Sequence, residues 1–128
     1  MKLYIAGQNQ DLGIRVAKAL KEAGHEITAT WLAVPFNRTA SHTEPERRNI
    51  ADTDFNDIEA ANALVLISDI FLCPGGKWVE AGIALGMKKP VFVLGHRENM
   101  LLWHPLCSSF ASVEALVKWL RPPDAVSK

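Results

Sequence analysis

The side chains best placed to do chemistry are carboxylates beside glycine turns, and Glu80 stands first among them. In Pro74–Gly75–Gly76–Lys77–Trp78–Val79–Glu80–Ala81–Gly82, two glycines supply a tight turn and a helical stretch follows, with Glu80 expected in its first turn. There the carboxylate could react, or it could merely complement the helix dipole. Asp54 and Asp57 lie three residues apart, the spacing that puts two side chains on one helix flank. They could serve the same chemistry or form a solvated face. Asp69 closes an apolar run. His25, His42, His96 and His104 show no metal-ligand spacing, and nothing matches GxxxxGK[ST]. Gly7 is followed by Gln8–Asn9–Gln10 and not by a dinucleotide fingerprint. Carboxylates without metal-ligand histidines suit glycosidic chemistry, in which one attacks or stabilises an oxocarbenium-like carbon and another manages the proton. No metal and no cofactor are required.

Strands and helices in strict alternation must position these groups. Leu3–Ala6 reads as a strand, and a helix from about Asp11 to Ala23 follows, with apolar residues at helical spacing and Gly24 at its end. Alternation suggests a second strand at about 26–32. From Ala33 to Asn49 no period survives, which implies an irregular loop. Ala51, Phe55, Ile58 and Ala61 mark one face of a helix, and Ala63–Ile67 is a buried strand. The Glu80 helix ends at Lys88–Lys89–Pro90, before strand Val91–Leu94. Cys107–Phe110 makes at most a short edge strand, and Ser112 caps a last helix, Val113–Leu120, stopped by Pro122–Pro123. This order implies an α/β domain with a flavodoxin-like, doubly wound sheet of about five mostly parallel strands, ordered 2-1-3-4-5, with helices on both faces. Ligand would bind over the carboxyl ends of strands 1, 3 and 4. Gly7, Gln8, Asp69 and the Gly75–Glu80 turn gather there.

Composition narrows the function. The 128 residues, 48% of them apolar, suffice for one domain with a real core. Fourteen basic and 14 acidic residues cancel, which argues against a nucleic-acid polymer as partner and leaves small polar ligands open. Two cysteines without CxxC spacing suggest free thiols, and no apolar run approaches a membrane span. A cytoplasmic protein is expected.

From Leu3 to about Leu102 the chain resembles the nucleoside 2-deoxyribosyltransferase family and its relatives that hydrolyse nucleotide N-glycosidic bonds. Tyr4–Ile5–Ala6–Gly7, Ala23–Gly24–His25–Glu26–Ile27, Asp54 with Ile58–Glu59–Ala60–Ala61–Asn62, Gly75–Gly76, Glu80–Ala81–Gly82–Ile83–Ala84 and Lys89–Pro90–Val91 carry the likeness. The resemblance implies that Glu80 attacks the anomeric carbon and that Asp54 positions it and manages protons. It also implies that Asn99 reaches a neighbouring subunit's sugar site, hence a homodimer or higher homo-oligomer acting on a small nucleoside or nucleotide. Asn62 stands where relatives often carry aspartate. Pro74 replaces the aspartate that transferases use for the base and the serine that monophosphate hydrolases use for phosphate. Lys77 could serve a phosphate instead, or be a solvated first-turn lysine. Gly75, Gly76 and Asp57 join the candidate substrate contacts. A non-catalytic nucleotide-binding or sensor domain is the alternative that Pro74 motivates. Trp31 could stack a base or pack at the core's rim; Trp78 suits packing or an interface.

Overall fold

The computed structural model describes residues 1–34, 42–68 and 75–121. Five strands, β1 (Lys2–Ala6), β2 (Glu26–Ile27), β3 (Ala63–Ser68), β4 (Val91–Gly95) and β5 (Cys107–Phe110), form one sheet in the order β2-β1-β3-β4-β5. Every pairing is parallel. This is the flavodoxin-like arrangement that the alternation implies. The three central strands are apolar on both faces, and Leu3–Ala6, Ala63–Ile67 and Val91–Leu94 are buried throughout. A strand can carry such a run only where helices cover both sides of the sheet. Helices α1 (Gln10–Glu22) and α4 (Val113–Leu120) pack beside each other, and α2 (Glu44–Ala60) packs beside α3 (Gly76–Gly86). The two pairs form the outer layers. Trp119 of α4 lies 5.5 Å, centroid to centroid, from both Phe92 and Phe110, which fixes that helix on β4 and β5.

Two elements depart from the sequence expectation. The second strand does not run over 26–32. It ends at Ile27, and a 3-10 turn spans Thr30–Ala33. The Thr28 N–H still bonds the Leu3 carbonyl, but beyond it the Thr30 N–H turns to a side chain and side-chain donors anchor the departing segment. Thr28 Oγ1 donates to the Asp57 carbonyl at 2.8 Å, the Thr30 N–H to Asp57 Oδ2 at 2.9 Å and Trp31 Nε1 to the Ile5 carbonyl at 2.8 Å. The irregular stretch expected over 33–49 is also shorter, because α2 already begins at Glu44. Thr43 caps it, accepting from the Glu46 N–H while Glu46 returns the bond to the Thr43 N–H at 2.9 Å. Pro45 sits in the first turn, where its missing N–H costs nothing. Only Ile58 of α2 is buried. A buried Leu or Ile gives about 1.5–3 kcal/mol and an N-cap about 1 kcal/mol, so capping matters far more to α2 than to α1, which buries Val16, Ala17 and Leu20.

Ends of elements follow local chemistry. Asn9 caps α1 and Ser112 caps α4. Lys89 Nζ reaches back to the carbonyls of Ile58 and Glu59 at the C-terminus of α2. Asn62 Oδ1 accepts the Lys2 N–H at 2.7 Å, so this side chain ties β3 to β1 at the amino edge, far from the candidate site.

Candidate active site

The carboxyl edge of the sheet carries the candidate residues. Helix α3 starts at Gly76 behind Gly75, whose φ of +98° is a left-handed conformation that favours glycine. Glu80 is therefore the fifth residue of α3 and lies beyond the first turn in which it was expected. The field of the helix terminus fades within one turn, so dipole complementation does not account for this carboxylate. Its partner is Tyr4, whose phenol donates to Glu80 Oε2. Tyr4 projects from the middle of β1 on the face opposite Leu3 and Ile5 and is fully buried.

Burial dominates the electrostatics. It pushes the Glu80 carboxyl up to about 7; the Tyr4 hydrogen bond pulls the other way, and the Asp54 charge adds to the rise. The Tyr4 hydroxyl is raised above the usual phenol range, first by burial and then by Glu80, Asp54 and Asp57, so it remains a donor. Asp54 is partly buried on α2, and burial, followed by the neighbouring Asp57 charge, raises its carboxyl as well. Two carboxyls held above their ordinary range, one of them on a neutral donor, form a pair in which one can give a proton while the other attacks.

The other expected residues take varied places. Asp57 shares Asp54's flank, but one of its oxygens already holds the Thr30 N–H. Gly7 passes close to β3: a Cβ there would meet Ile67 Cβ at 3.2 Å. Gln8 follows it, and its Oε1 is a buried acceptor with no hydrogen-bond partner among the described residues. A ligand N–H or O–H would satisfy it. Gly76 has open space around it. Asn99 is exposed at the start of a 3-10 turn, Met100–Trp103. Asp69, Cys73 and Pro74 lie outside the described residues.

Lys77 departs most from expectation. It is not solvated: its side chain is 1% exposed and its Nζ lies 3.3 Å from Glu98 Oε2. Trp78 lies against the core, with Lys77 Nζ 4.6 Å from its ring. Trp31 is half-buried and packs at the core's rim. Its indole donates to Ile5, and its ring sits over Gly13 of α1, where an added Cβ would be 3.4 Å away. Sequence spacing could not have singled out Tyr4, since a tyrosine in an apolar strand looks like core. Its one signal was a hydroxyl that burial obliges to find a partner.

No group of three metal-ligating side chains occurs among the described residues, and no described helix is long and apolar enough to cross a membrane.

The fold places the chain among the open α/β proteins whose ligand site lies at the carboxyl edge of a parallel sheet. Within that class, the model of the nucleoside 2-deoxyribosyltransferase family matches residues 3–116. The chain belongs to that family. It superposes on the 2-deoxyribosyltransferase of Bacillus psychrosaccharolyticus with a TM-score of 0.74 at 19% identity, covering 98% of this chain and 96% of that one. The Clostridium botulinum CMP N-glycosidase gives 0.60 at 15% identity, over 94% and 98% of the two chains. A conserved protein of Enterococcus faecalis V583 gives 0.57 at 16%, over 93% and 87%. At these identities the likeness is one of fold. No match was found among curated protein sequences.

Proposed function

We propose that the protein cleaves the N-glycosidic bond of a nucleoside or nucleotide, with Glu80 as nucleophile and Asp54 as the proton-managing acid. The observation that carries this is the buried Glu80 carboxylate, held by the Tyr4 hydroxyl at the carboxyl edge and within the field of Asp54. Membership of the family and the likeness to a deoxyribosyltransferase and an N-glycosidase support the same bond as the target. Glu80 Oε attacks C1′ as the C1′–N bond breaks, and its electron pair leaves with the base. Asp54 delivers a proton to that base. The glycosyl ester on Glu80 is then opened by water or by a second base, whose proton returns to Asp54. Tyr4 orients Glu80 and keeps enough of it ionised to attack.

A panel of nucleosides and 5′-monophosphates, with and without an acceptor base, tests the activity. Free base released without acceptor identifies a hydrolase, and exchange only with acceptor a transferase. Ligand-induced stabilisation with no product identifies the sensor alternative and removes the catalytic one.

The Glu80 environment predicts a pH profile. The attacking form is the carboxylate, so kcat/KM is expected to fall tenfold per pH unit below a midpoint near 7. The Tyr4 hydrogen bond lowers the Glu80 pKa, so Tyr4→Phe moves that limb upward. A bond to a charged group gives about 1.5–3 kcal/mol, equivalent to roughly 1–2 pH units. An unmoved limb in Tyr4→Phe would remove the phenol from the mechanism.

We further propose that the active unit is a homodimer or larger. Met100, Leu101 and Trp103 are 82%, 71% and 65% exposed beside Asn99. Such a patch marks an interface in a protein of this size. Sedimentation velocity is expected to show an assembly that Leu101→Asp shifts toward monomer, with loss of turnover. A fully active wild-type monomer at assay concentration contradicts it.

A further inference from the structure

A second polar cluster lies one helical turn from Glu80. Lys77 is buried in the first turn of α3, and its ammonium faces Glu98 Oε2 at 3.3 Å and the Ile67 carbonyl at 3.4 Å. Ser68, at the end of β3, donates its hydroxyl to the same Glu98 oxygen and also contacts the His96 carbonyl at 2.7 Å. Gly95 lets β4 turn into this cluster: its φ is +111°, and a Cβ there would lie 2.6 Å from the Ser68 carbonyl oxygen. A buried ammonium beside a hydroxyl donor makes a place for an anion. Here the protein's own carboxylate fills it.

We propose that Glu98 sets the charge preference of the crevice, occupying Lys77 so that the site selects an uncharged nucleoside over its 5′-monophosphate. This rests on the activity proposed above and names its substrate class. Residues three apart on a helix share one flank, with Cβ atoms about 5–6 Å apart, so Lys77 and Glu80 face the same region. The sugar carbon that bears the 5′ group is joined to C1′ through the ring oxygen alone. A 5′-phosphate on a sugar held at Glu80 thus falls within about one turn of the nucleophile. Along α3 the opposite direction leads into the core at Ala81 and Ala84. The crevice residues described above set Asp54, Asp57, Glu80 and Glu98 against Lys77 and Arg97. Arg97 is engaged as well: its guanidinium lies 4.4 Å from the Trp103 ring centroid, and its Nε donates to the Leu102 carbonyl at 2.9 Å. A phosphate entering here carries about two negative charges, finds Lys77 already taken by Glu98, and loses the ion pair that would offset its desolvation.

The experiment measures kcat/KM for the four 2′-deoxynucleosides and for their 5′-monophosphates, with melting curves for each ligand at millimolar concentration. Wild type is expected to favour each cleaved nucleoside over its monophosphate by about tenfold or more. Glu98→Gln keeps the shape and removes the charge; it is expected to narrow that ratio about tenfold by accelerating the monophosphate, a gain lost again in Lys77→Met/Glu98→Gln. Should Glu98→Gln fail to fold, Lys77→Met, which leaves Glu98 uncompensated, is expected to widen the wild-type ratio. A wild type that prefers monophosphates, or a ratio indifferent to these substitutions, overturns the proposal. If no substrate is cleaved but nucleosides alone raise the melting temperature, the catalytic assignment fails and the charge preference stands. Stabilisation by monophosphates alone, or by neither ligand, overturns the charge preference.

Discussion

Glu80→Gln is expected to lower kcat by on the order of 10,000-fold while the protein remains folded and still binds its substrate. The amide retains the volume and can accept from Tyr4, but it cannot attack C1′. The same substitution is expected to stabilise the protein at alkaline pH. In the folded state burial holds the Glu80 carboxyl at about 7, against an ordinary 4.5. Protonation is thus favoured by folding, and the stability it contributes is complete below the unfolded value. That stability is lost as pH rises from about 4.5 through 7, and at pH 8 the buried charge costs about 3 kcal/mol. Glutamine never ionises, so Glu80→Gln is expected to melt several degrees above wild type at pH 8 and near it at pH 5. Kinetics together with melting curves at the two pH values check both effects. Near-normal turnover would exclude the covalent route, and equal melting at pH 8 would exclude the buried charge. Mass spectrometry of acid-quenched turnover adds a direct check, since a glycosyl ester should map to the peptide containing Glu80.

Asp54→Asn is expected to cost about 100- to 10,000-fold in kcat with natural substrates, the range for removal of a general acid. The loss should depend on the leaving base. An N7-methylated purine nucleoside leaves from an already cationic base and needs no proton, so with it the deficit is expected to shrink below about tenfold. Steady-state rates on the two substrate types, each with both enzymes, decide the matter. An equal loss on both means that Asp54 positions Glu80 and does not deliver the proton. Burial and the Asp57 charge both raise the Asp54 carboxyl above an ordinary aspartate, which moves it toward the range where it can carry a proton to the base. Asp57 is the weaker candidate because the Thr30 N–H already occupies one of its oxygens.

What the sequence determined by itself was local or periodic. Apolar runs at Leu3–Ala6, Ala63–Ile67 and Val91–Leu94 could only be strands covered on both faces, and helices alternating between them leave little choice but a parallel sheet. Gly75 before a helix marked the turn that brings Glu80 to the carboxyl edge, because a left-handed residue there favours glycine. The alternation over 26–32 is real, yet the second strand ends at Ile27. What ends it is Asp57, 27 residues from the Thr30 N–H it accepts, and no window along the chain contains both. The start of α2 was written locally, in Thr43 and Glu46, but Pro45 and the Arg47–Arg48 pair hid it. Only the tertiary structure decided the electrostatics of the site. Tyr4 and Glu80 are 76 residues apart, and it is burial beneath the packed helices that makes the phenol a donor and raises the carboxyl. Lys77 and Glu98 are 21 apart, and only the fold pairs this lysine with a carboxylate. A residue's type is a property of the sequence, but its charge state and its partners depend on what the fold removes from water.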